Sequence, residues 1–513
     1  MTTHKTSLIC NRFAGIRRVN AQFSSEMISC SDCQNVELYN TGVNSGVGIR
    51  TAKGNQSLYD DFSENETIIN IFSSFQNGNE YCFIHTVIED IEEEERIYTY
   101  NNGVLTQKFT LSSVTKKSCG TDFSQGWDDL FMFTNGTDII KIQLGASPEC
   151  TSLTLTGTES EPITGMGFKV FNSRLWIFKD NRLWYSFKND CTDFSTTDPS
   201  LTTSAGYIEF SKKITAIYPY LGSLAVFHQD SSCLVTVSSE DIFSVSEESP
   251  GGCAGYDALV FHGTDLYFYD DTKKGVFSFQ QVVNGDKTLG DNIAIDVQNE
   301  LLDIDNTKFD NIKALSVVLS DRNEVWLLIP RKNETNSTIL IFDYIHKEWV
   351  KRVEQSINCI RIVFNSLFSG GEKLYEEYVG HNFDEEFIPC FYNATPINLG
   401  VDNTLKILYF PPRITLDTSF YNDFWVKYIK NYDYLKKVKD KRVETKTLKK
   451  VLYYNTGQCW DDGYTYLPSI CSAIAKLPSA TFKTLEIRFY TKEKKQDFCI
   501  KNIEFSKIKV KQI

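Results

Sequence analysis

The stretch that most constrains the fold is residues 168–187, FKVFNSRLWIFKDNRLWYSF, which alternates short apolar and aromatic runs with polar turns. Aromatic and β-branched residues of this kind favour pleated, half-buried strands. Asn172-Ser173 and Lys179-Asp180-Asn181 are suited to the turns, because Asn and Asp tolerate left-handed backbone. We predict two short strands here. A single hairpin is only marginally stable in water, so this stretch requires a larger sheet assembly.

The same pattern of an apolar strand, a polar turn and a second apolar strand recurs along the chain. The first unit turns at the acidic run 92–95, and the second turns at Asn135-Gly136, which is a strong hairpin signal. The six units occupy residues 81–109, 128–144, 168–187, 221–237, 257–279 and 323–352. Their strand pairs begin about 42–60 residues apart, which is close to the period of propeller blades. Four strands would fit each interval.

The sequence therefore predicts an all-β protein, with a β-propeller of about six blades over residues 61–384. Five or seven blades remain compatible with the same pattern. A β-sandwich-like domain is predicted to follow over residues 385–513. The alternative is a set of ordinary antiparallel hairpins in one large sandwich.

The two ends of the chain differ from the repeated units. Residues 1–60 are rich in Gly, Asn and Ser toward their end and predict an extended entry segment that joins the propeller. Residues 353–380 predict a closing strand set, with Gly370-Gly371 as a sharp turn. The lysine-rich insertion 436–450 predicts an exposed hairpin tip or a short helix. The alternating runs at 485–489 and 500–510 predict a final hairpin with a charged turn.

Charge is unevenly distributed between the two parts of the chain. The net charge is −13, yet residues 425–513 alone contain 20 Lys and Arg against 9 Asp and Glu. An acidic body repels nucleic acid, whereas the basic end could serve nucleic acid, a membrane or an acidic partner, or be a solvated basic face. No apolar run approaches the roughly 20 residues that span a membrane, and the N-terminus lacks the apolar region of a secretory signal.

The 14 cysteines are scattered singly, apart from Cys30 and Cys33. Without an export signal, scattered cysteines are expected to be reduced and buried. The spacing of Cys30 and Cys33 is compatible with redox chemistry or zinc. A zinc site needs further ligands, and the next candidates, Cys82 and His85, are far along the chain. The role of the pair stays open, and no metal or cofactor is predicted.

The remaining candidates for chemistry favour structural roles. His85, His228 and His262 fall within predicted hairpins, where a hydrogen-bonded sheet histidine is the default. Lys273-Lys274-Gly275 predicts a hairpin loop. No nucleophile elbow, phosphate-binding loop or zinc-protease motif is present in the sequence.

Two carboxylate pairs each follow a tryptophan: Asp128-Asp129 after Trp127, and Asp461-Asp462 after Trp460. A glycosidase needs two carboxylates facing each other across a sugar. Adjacent residues on a strand point to opposite faces, so neither pair supplies that arrangement alone. The sequence therefore predicts no catalytic, cofactor-binding or metal-binding residues and no enzyme activity.

Four stretches, taken in order, resemble the tail hub or nozzle proteins of short-tailed bacteriophages, also called packaged-DNA stabilisation proteins. The first stretch, the N-terminal NRFAGIRRVN…CQNVELYNTGVNSGVGIR, is similar to the entry segment of that family. GMGFKVFNSRLWIFKDNRLWYSF and GGCAGYDALVFHGTDLYFYDDTKKGVFSF resemble two of its blades. EEFIPCFYNATPINLGVDNTLK resembles the start of its post-propeller domain. The acidic turn 92–95, the high cysteine count and the insertion 436–450 depart from the family pattern.

The resemblance implies a structural protein of the virion tail, assembled in the host cytoplasm. Such proteins form a homo-oligomeric ring, generally a hexamer, below the portal and adaptor proteins. The ring extends the channel through which viral DNA passes, retains the packaged genome and carries fibres, spikes or a plug. The alternative function from another class is a glycan-binding or glycan-degrading propeller, against which the absence of sialidase-type Asp-box turns counts.

Overall fold

We describe a computed structural model of the chain, in which the described regular secondary structure is almost entirely β-strand. The structure describes residues 3–17, 27–41, 46–76, 78–125, 128–197, 203–238, 240–284, 289–320, 322–332, 336–353, 356–380, 382–384, 386–397, 405–408, 412–417, 422–430, 440–444, 470–474, 481–482, 484–494 and 496–511.

The chain divides into two compact units, and neither is continuous in sequence. The first comprises Met1–Gln56, Leu340–Val353 and Tyr378–Ile513. The second comprises Ser57–Ile339 and Glu354–Glu377.

The described residues of the N-terminal part of the chain form six strands separated by short connections. Five of these strands join one large sheet, and the sixth joins a different sheet. They are β1 (Thr3–Cys10), β2 (Arg12–Ile16), β3 (Met27–Gln34), β4 (Val36–Asn40), β5 (Val47–Thr51) and β6 (Asn55–Tyr59).

Seven small antiparallel sheets then follow in order along the chain, which is the arrangement of a seven-bladed β-propeller. Blade 1 holds β7 (Glu66–Gln76), β8 (Asn79–Ile88), β9 (Glu94–Asn101) and β10 (Val104–Thr110); blade 2 holds β11 (Cys119–Gln125), β12 (Asp128–Thr134), β13 (Ile139–Gln143) and β14 (Glu149–Leu153). The short pair β15 (Leu155–Thr156) and β16 (Pro162–Ile163) precedes blade 3, which holds β17 (Met166–Phe171), β18 (Arg174–Lys179), β19 (Arg182–Tyr185) and β20 (Gly206–Glu209). Blade 4 holds β21 (Ile214–Tyr220), β22 (Ser223–His228), β23 (Ser231–Val237), β24 (Phe243–Val245) and β25 (Ser249–Pro250).

The described helical segments lie between the strands of blade 5 and those of blade 6. Blade 5 has three strands, β26 (Leu259–His262), β27 (Asp265–Asp270) and β28 (Gly275–Ser278), followed by α1 (Phe279–Asn284), a 3-10 turn (Ile295–Val297), α2 (Gln298–Leu302) and a second 3-10 segment (Asn306–Asn311). Blade 6 holds β29 (Lys313–Leu319), β30 (Arg322–Ile329), β31 (Thr338–Asp343) and β32 (Glu348–Val353), and blade 7 holds β33 (Ile357–Val363), β34 (Ser366–Gly371), β35 (Leu374–Glu377) and β6.

The predicted propeller is confirmed, and its blades number seven where about six were expected. The additional blade is the closing strand set of the sequence prediction, and its fourth strand is β6 from the N-terminal segment. Leu58 and Tyr59 of this strand pack against a buried cluster that includes Ile68 of blade 1 and Leu374 of blade 7. The first and last blades are thereby joined by apolar contacts.

Residues 168–187 contribute three strands to blade 3, so the prediction of two was one short. Both predicted turns are present, and Asn172, Ser173 and Asp180 have positive φ angles of 51°, 57° and 53°. Trp176 and Leu183 in these strands are fully buried. The stretch therefore forms most of one blade, with β17 paired to β18 and β18 to β19.

The first unit contains a 14-stranded sheet built from both ends of the chain. Its long C-terminal strand pairs with β1 along residues 503–510 and also pairs with β5, β37 and β38. The C-terminal strands are β36 (Phe391–Ala394), β37 (Leu405–Leu408), β38 (Arg413–Asp417), β39 (Asp423–Lys430), β40 (Lys441–Glu444), β41 (Ile470–Ile474), β42 (Thr481–Phe482), β43 (Leu485–Tyr490) and β44 (Cys499–Lys511).

The predicted final hairpin is wrong in its pairing, although both strands exist. The two edges of β43 are occupied by β36 and β39, and β44 pairs elsewhere in the sheet. Residues 440–444 of the lysine-rich insertion are described and include β40, while its other residues lie outside the described part of the chain. Among the described residues, no helix has the length and apolar character needed to cross a membrane.

Candidate binding site at the propeller axis

A cavity of about 580 Å³ opens at the end of the propeller where the innermost strands begin. Its lining comes from segments that precede or begin the first strands of blades 2 to 6 and from turns between the second and third strands of blades 2 to 5. Representative lining residues are Asn135, Met166, Phe178, Ile214 and Tyr256. Because these segments come from five blades, the cavity exists only when blades 2 to 6 are packed side by side.

The rim of the cavity carries charges of both signs. Lys117, Lys179 and Lys213 line it together with Asp180 and Asp271. The Lys213 ammonium lies 3.8 Å from the Asp180 carboxylate, and both side chains are well exposed. An exposed pair of this kind contributes little to stability. The rim is therefore hydrophilic and slightly basic.

An ion pair lies beside the cavity at the first residue of β29. Lys313 Nζ donates to the Asp257 carboxylate at 2.7 Å and lies 5.3 Å from the ring centroid of Tyr256, which lines the cavity. Burial disfavours the charged ammonium, but Asp257 together with Tyr256 and Cys359 outweighs burial and raises the pKa of Lys313. Lys313 is therefore a buried cation whose charge is balanced by Asp257.

Lys169 is a second enclosed cation, at the fourth residue of β17 in blade 3. Its ammonium lies 5.2 Å from the ring centroid of Tyr218 on the first strand of blade 4. Among the described residues, no carboxylate lies within ion-pair distance of Lys169. Desolvation lowers the pKa of Lys169, and Arg361 lowers it further while Asp257 opposes the shift. The side chain retains partial contact with solvent.

Arg361 is a third cation, at the fifth residue of β33 in blade 7. It interacts electrostatically with Asp122 of blade 2, Lys169 of blade 3 and Tyr218 of blade 4. Asp122, Lys169, Tyr218 and Arg361 lie on the first strands of four different blades. Within the described part of the chain, no carboxylate forms an ion pair with Arg361.

Asp122 is the acidic residue at the same depth, and its oxygens already have donors. Ser74 Oγ donates to one carboxylate oxygen at 2.5 Å, and the backbone N–H of Phe75 donates to the other at 3.4 Å. Burial raises the pKa of Asp122, although these hydrogen bonds oppose the shift. Of the three cations, Lys313 is paired with Asp257, which leaves Lys169 and Arg361 as the charges without a close counterion among the described residues.

The three histidines singled out from the sequence lie in strands and are buried. His85 Nε2 lies 3.2 Å from the Glu95 carboxylate. His228 Nδ1 lies 3.0 Å from the carbonyl oxygen of Lys213, and His262 Nδ1 lies 2.8 Å from Ser316 Oγ. They occupy three different blades, so the fold does not bring them together.

The carboxylate pairs are not assembled into a site in the described structure. Asp128 is exposed at the start of β12, and Gln143 Nε2 donates to it at 3.3 Å. Asp461, Asp462 and both neighbouring tryptophans, Trp127 and Trp460, lie outside the described residues. Lys273-Lys274-Gly275 lies at the turn between β27 and β28, where Lys274 pairs with Asp271.

Cys30 and Cys33 face the same side of β3, although residues three apart on a regular strand face opposite sides. The register between β3 and β36 shifts between Cys30 and Asp32, so Ser31 forms a β-bulge. Both cysteines are consequently buried. Burial raises the pKa of Cys30 well above its ordinary value, and the neighbouring Cys33 adds to the shift.

Cys30 and Cys33 are expected to be protected from alkylation in the folded protein, because both side chains are buried away from the reagent. Treatment with iodoacetamide under native conditions, followed by peptide mass mapping, should label Cys150 first, since it is the most exposed of the 12 cysteines with described side chains. Full labelling of Cys30 and Cys33 in urea provides the control. Native labelling of Cys30 as fast as that of Cys150 would contradict the described burial.

Metal binding has no candidate cluster in the described ranges, where no group of three or more His, Cys, Asp or Glu is placed to hold an ion. The axial cations were missed by the sequence analysis. Lys169, Lys313 and Arg361 each interrupt an apolar run, in FKVF, IKAL and CIRIVF. A single cation within the first strand of a repeated unit was the signal that could have identified them.

The sheets define the chain as a seven-bladed β-propeller protein with an additional β-unit. No family model and no curated protein matches the chain. Among solved structures, it is similar to virginiamycin B lyase from Staphylococcus aureus, with 13% identity, a TM-score of 0.41 and coverage of 66% of this chain and 98% of that one. A catalytically inactive variant of that lyase with quinupristin is also similar, with 13% identity and a TM-score of 0.40. Its match likewise covers 66% of this chain and 98% of that one.

A quinoprotein alcohol dehydrogenase-like protein from Bacteroides thetaiotaomicron is also similar, with 9% identity, a TM-score of 0.37 and coverage of 66% of this chain and 83% of that one. These likenesses concern the propeller fold and carry no inference about activity.

Proposed function

We propose that this chain is a structural protein of a short bacteriophage tail, which forms a ring that extends the DNA channel below the portal and adaptor proteins. In this function the ring retains the packaged genome and anchors fibres or a plug. The proposal rests on the four ordered sequence stretches that resemble tail hub or nozzle proteins. The described residues of those stretches lie in β2 to β5, in blades 3 and 5, and in β36 and β37.

The observation that carries the proposal is the way the entry segment and the C-terminal strands share one sheet. β2 and β3 pair with each other, β3 pairs with β36, and β5 pairs with β44. The propeller is therefore inserted in sequence between two halves of one β-unit. This order of entry segment, propeller and post-propeller domain is the one that the resemblance implies.

The quoted motifs also include residues that the packing requires. Gly15 of the first motif lies so close to the main chain of Trp349 that an added Cβ would be 2.2 Å from its carbonyl oxygen. Gly48 is similarly confined by Tyr39 and by the main chain of Ile500. A conduit should not grip DNA, because each phosphate contact adds a salt-dependent hold. The acidic balance of the chain outside residues 425–513 suits that requirement.

The proposal predicts that the protein assembles as a closed ring on a portal–adaptor complex. Purified chain mixed with portal and adaptor should give ring-shaped particles by negative-stain electron microscopy and co-elute with them in size-exclusion chromatography. The negative control is chain that has been unfolded in urea and then diluted into the mixture without a refolding step. Monomers alone are compatible with templated assembly, whereas a folded chain that never joins the portal–adaptor complex would refute the ring.

The enzymatic alternative is tested separately by incubating the protein with bacterial surface polysaccharide. Under the proposed function, chromatography should detect no released fragments. Release of oligosaccharides that tracks with the purified protein would favour a glycan-degrading propeller instead.

A further inference from the structure

We propose that a second cavity of the propeller, of about 530 Å³, binds a neutral saccharide packed on the ring of Phe364. Its lining comes from β8, β9 and β10 of blade 1, from the turn after β13 in blade 2 and from the turn between β33 and β34 in blade 7. Because paired strands of these blades are antiparallel, the turns lie at the opposite end from the cavity beside Tyr256. The inference does not depend on the proposed ring, since all of these residues belong to the second compact unit.

Aromatic side chains form one part of the lining. Tyr100 is buried, Tyr81 is half-buried, and Phe364 is 37% exposed. Phe364 packs edge-on against Phe368, with 6.4 Å between the ring centroids, and Phe368 contacts Tyr100 at 5.9 Å. The ring of Phe364 is thereby supported by buried rings while it remains accessible from the cavity. An aromatic ring held in this way offers a rigid platform for the apolar face of a ligand.

Phe364 occupies a backbone conformation that is unfavourable for its side chain. Phe364 and Asn365 form a two-residue turn in the β33–β34 hairpin, with φ angles of 51° and 58°. A hairpin turn with two positive φ angles favours Asn, Gly or Asp, and a bulky residue there is uncommon. Unfavourable backbone of this kind is concentrated at ligand-binding sites. A half-exposed phenylalanine at this position therefore indicates a role for its side chain beyond the turn itself.

Most of the polar side chains in the described lining are uncharged. Among the described residues, three of them have no hydrogen-bond partner: Asn79, Asn101 and Thr106. A saccharide ring presents an apolar face of C–H groups and an edge of hydroxyls that both donate and accept hydrogen bonds. Asn amides and Thr hydroxyls also donate and accept, so they match that edge while Phe364 matches the face.

The charged groups of the described lining are one carboxylate and one ammonium, and both are engaged. Glu80 accepts a hydrogen bond from Ser73 Oγ at 2.7 Å. Lys108 Nζ donates to Ser147 Oγ at 3.4 Å. This balance favours a neutral ligand over an anion or a cation. Glycoside hydrolysis usually requires two carboxylates, so we expect binding without cleavage, which distinguishes this site from a glycan-degrading one.

The test is binding of the full-length protein to an array of immobilised neutral and acidic oligosaccharides. We expect binding to neutral glycans, and titration calorimetry with the best-bound oligosaccharide in solution then gives its dissociation constant. Absence of binding to every glycan, or binding confined to acidic glycans, overturns the proposal.

Phe364→Asn separates binding from folding. Because Asn suits the left-handed turn, the melting temperature should not fall below that of the wild type. Loss of the aromatic platform should weaken binding of the selected oligosaccharide by about 10-fold or more. Wild-type affinity in this variant would refute the site.

Leu221→Asn is the matched control. Leu221 is 70% exposed, has a φ of 45° and occupies the equivalent turn of blade 4, between β21 and β22, away from the cavity. This variant should bind the oligosaccharide like the wild type, and weakening equal to that of Phe364→Asn overturns the assignment. If Phe364→Asn fails to fold, Asn101→Ala decides, because it leaves the strained turn intact. Asn101→Ala should also weaken binding, and wild-type affinity in it refutes the site.

Discussion

Replacing Trp176 with Ala should destabilise the propeller by about 3–5 kcal/mol, the usual cost of removing a buried tryptophan side chain. Trp176 is completely buried in β18 and contacts Phe171, Tyr185 and Phe243 at ring centroid distances of 5.0–6.1 Å. Its indole N–H also donates to the carbonyl oxygen of Phe171 at 2.9 Å. The substitution therefore removes aromatic packing and leaves a buried carbonyl without its donor.

Urea unfolding monitored by circular dichroism would measure this effect as a lower midpoint. Trp176→Phe retains a ring and loses the N–H donor, so it should cost about 1–2 kcal/mol. Val104→Ala is the surface control, because Val104 is 62% exposed on β10 and its truncation should change stability by less than about 0.5 kcal/mol. A loss for Trp176→Ala no greater than that of Val104→Ala would show that this core does not limit stability.

The burial of Trp176 illustrates what the sequence could predict. Strand content and turns depend on neighbouring residues, so the hairpins and the left-handed turn residues Asn172, Ser173 and Asp180 were identifiable from local pattern. The blade count depends on partners distant in sequence. The fourth strand of blade 7 is β6, about 300 residues before the rest of that blade, and no local signal specifies this pairing.

Gly370 shows the same limit at a single position. With Gly371 next to it, the local pattern indicates a sharp turn, yet both residues lie in β34. An added Cβ at Gly370 would be 2.6 Å from Cγ2 of Ile68 in blade 1. The glycine is explained by close approach of the last blade to the first. That approach exists only after the ring has closed, so it could not be deduced from the neighbouring residues.

The candidate site was unpredictable for a related reason. Lys169 and Arg361 are about 190 residues apart, and each lies in an apolar run that by itself indicates only a strand. Ring closure brings their strands to one axis. By contrast, β43 and β44 were expected to pair because they are consecutive, whereas β43 pairs with β36 and β39. Local alternation thus specifies strands reliably and their partners poorly.

Replacing Glu95 with Ala should cost about 3–5 kcal/mol, because it removes the acceptor at the centre of a buried polar cluster. Glu95 is fully buried at the second residue of β9. Its carboxylate accepts from the backbone N–H groups of Thr115 and Lys116 at 2.7 and 2.5 Å, and from Asn135 Nδ2 at 2.9 Å. His85 Nε2 is a fourth neighbour at 3.2 Å. The substitution would leave several buried donors without an acceptor.

The same cluster predicts how stability depends on pH. Burial alone would raise the pKa of Glu95. The hydrogen bond and electrostatic attraction to His85, together with the hydrogen bonds from Asn135 and the Lys116 N–H, outweigh burial and lower the pKa. The folded protein therefore binds this proton less tightly than the unfolded chain. The stabilisation is present above the ordinary glutamate pKa of about 4.3 and is lost as the pH falls through the lowered value in the folded state.

Urea midpoints measured from pH 7 down to pH 3 would separate this effect from general acid unfolding. Glu95→Gln keeps the shape of the side chain but cannot ionise, so it should be less stable at pH 7 and should approach the wild type as the pH falls. Glu93→Gln is the matched control, because Glu93 forms an exposed pair with Lys116 in the same acidic turn and should change stability by less than about 1 kcal/mol. Parallel pH profiles for Glu95→Gln and the wild type would mean that the charge on Glu95 does not stabilise the fold. The acidic run 92–95 was predicted as a turn, but its last two residues, Glu94 and Glu95, lie in β9. A converging profile would instead identify this run, which departs from the tail-protein pattern, as the source of a buried carboxylate that links blades 1 and 2 through Asn135.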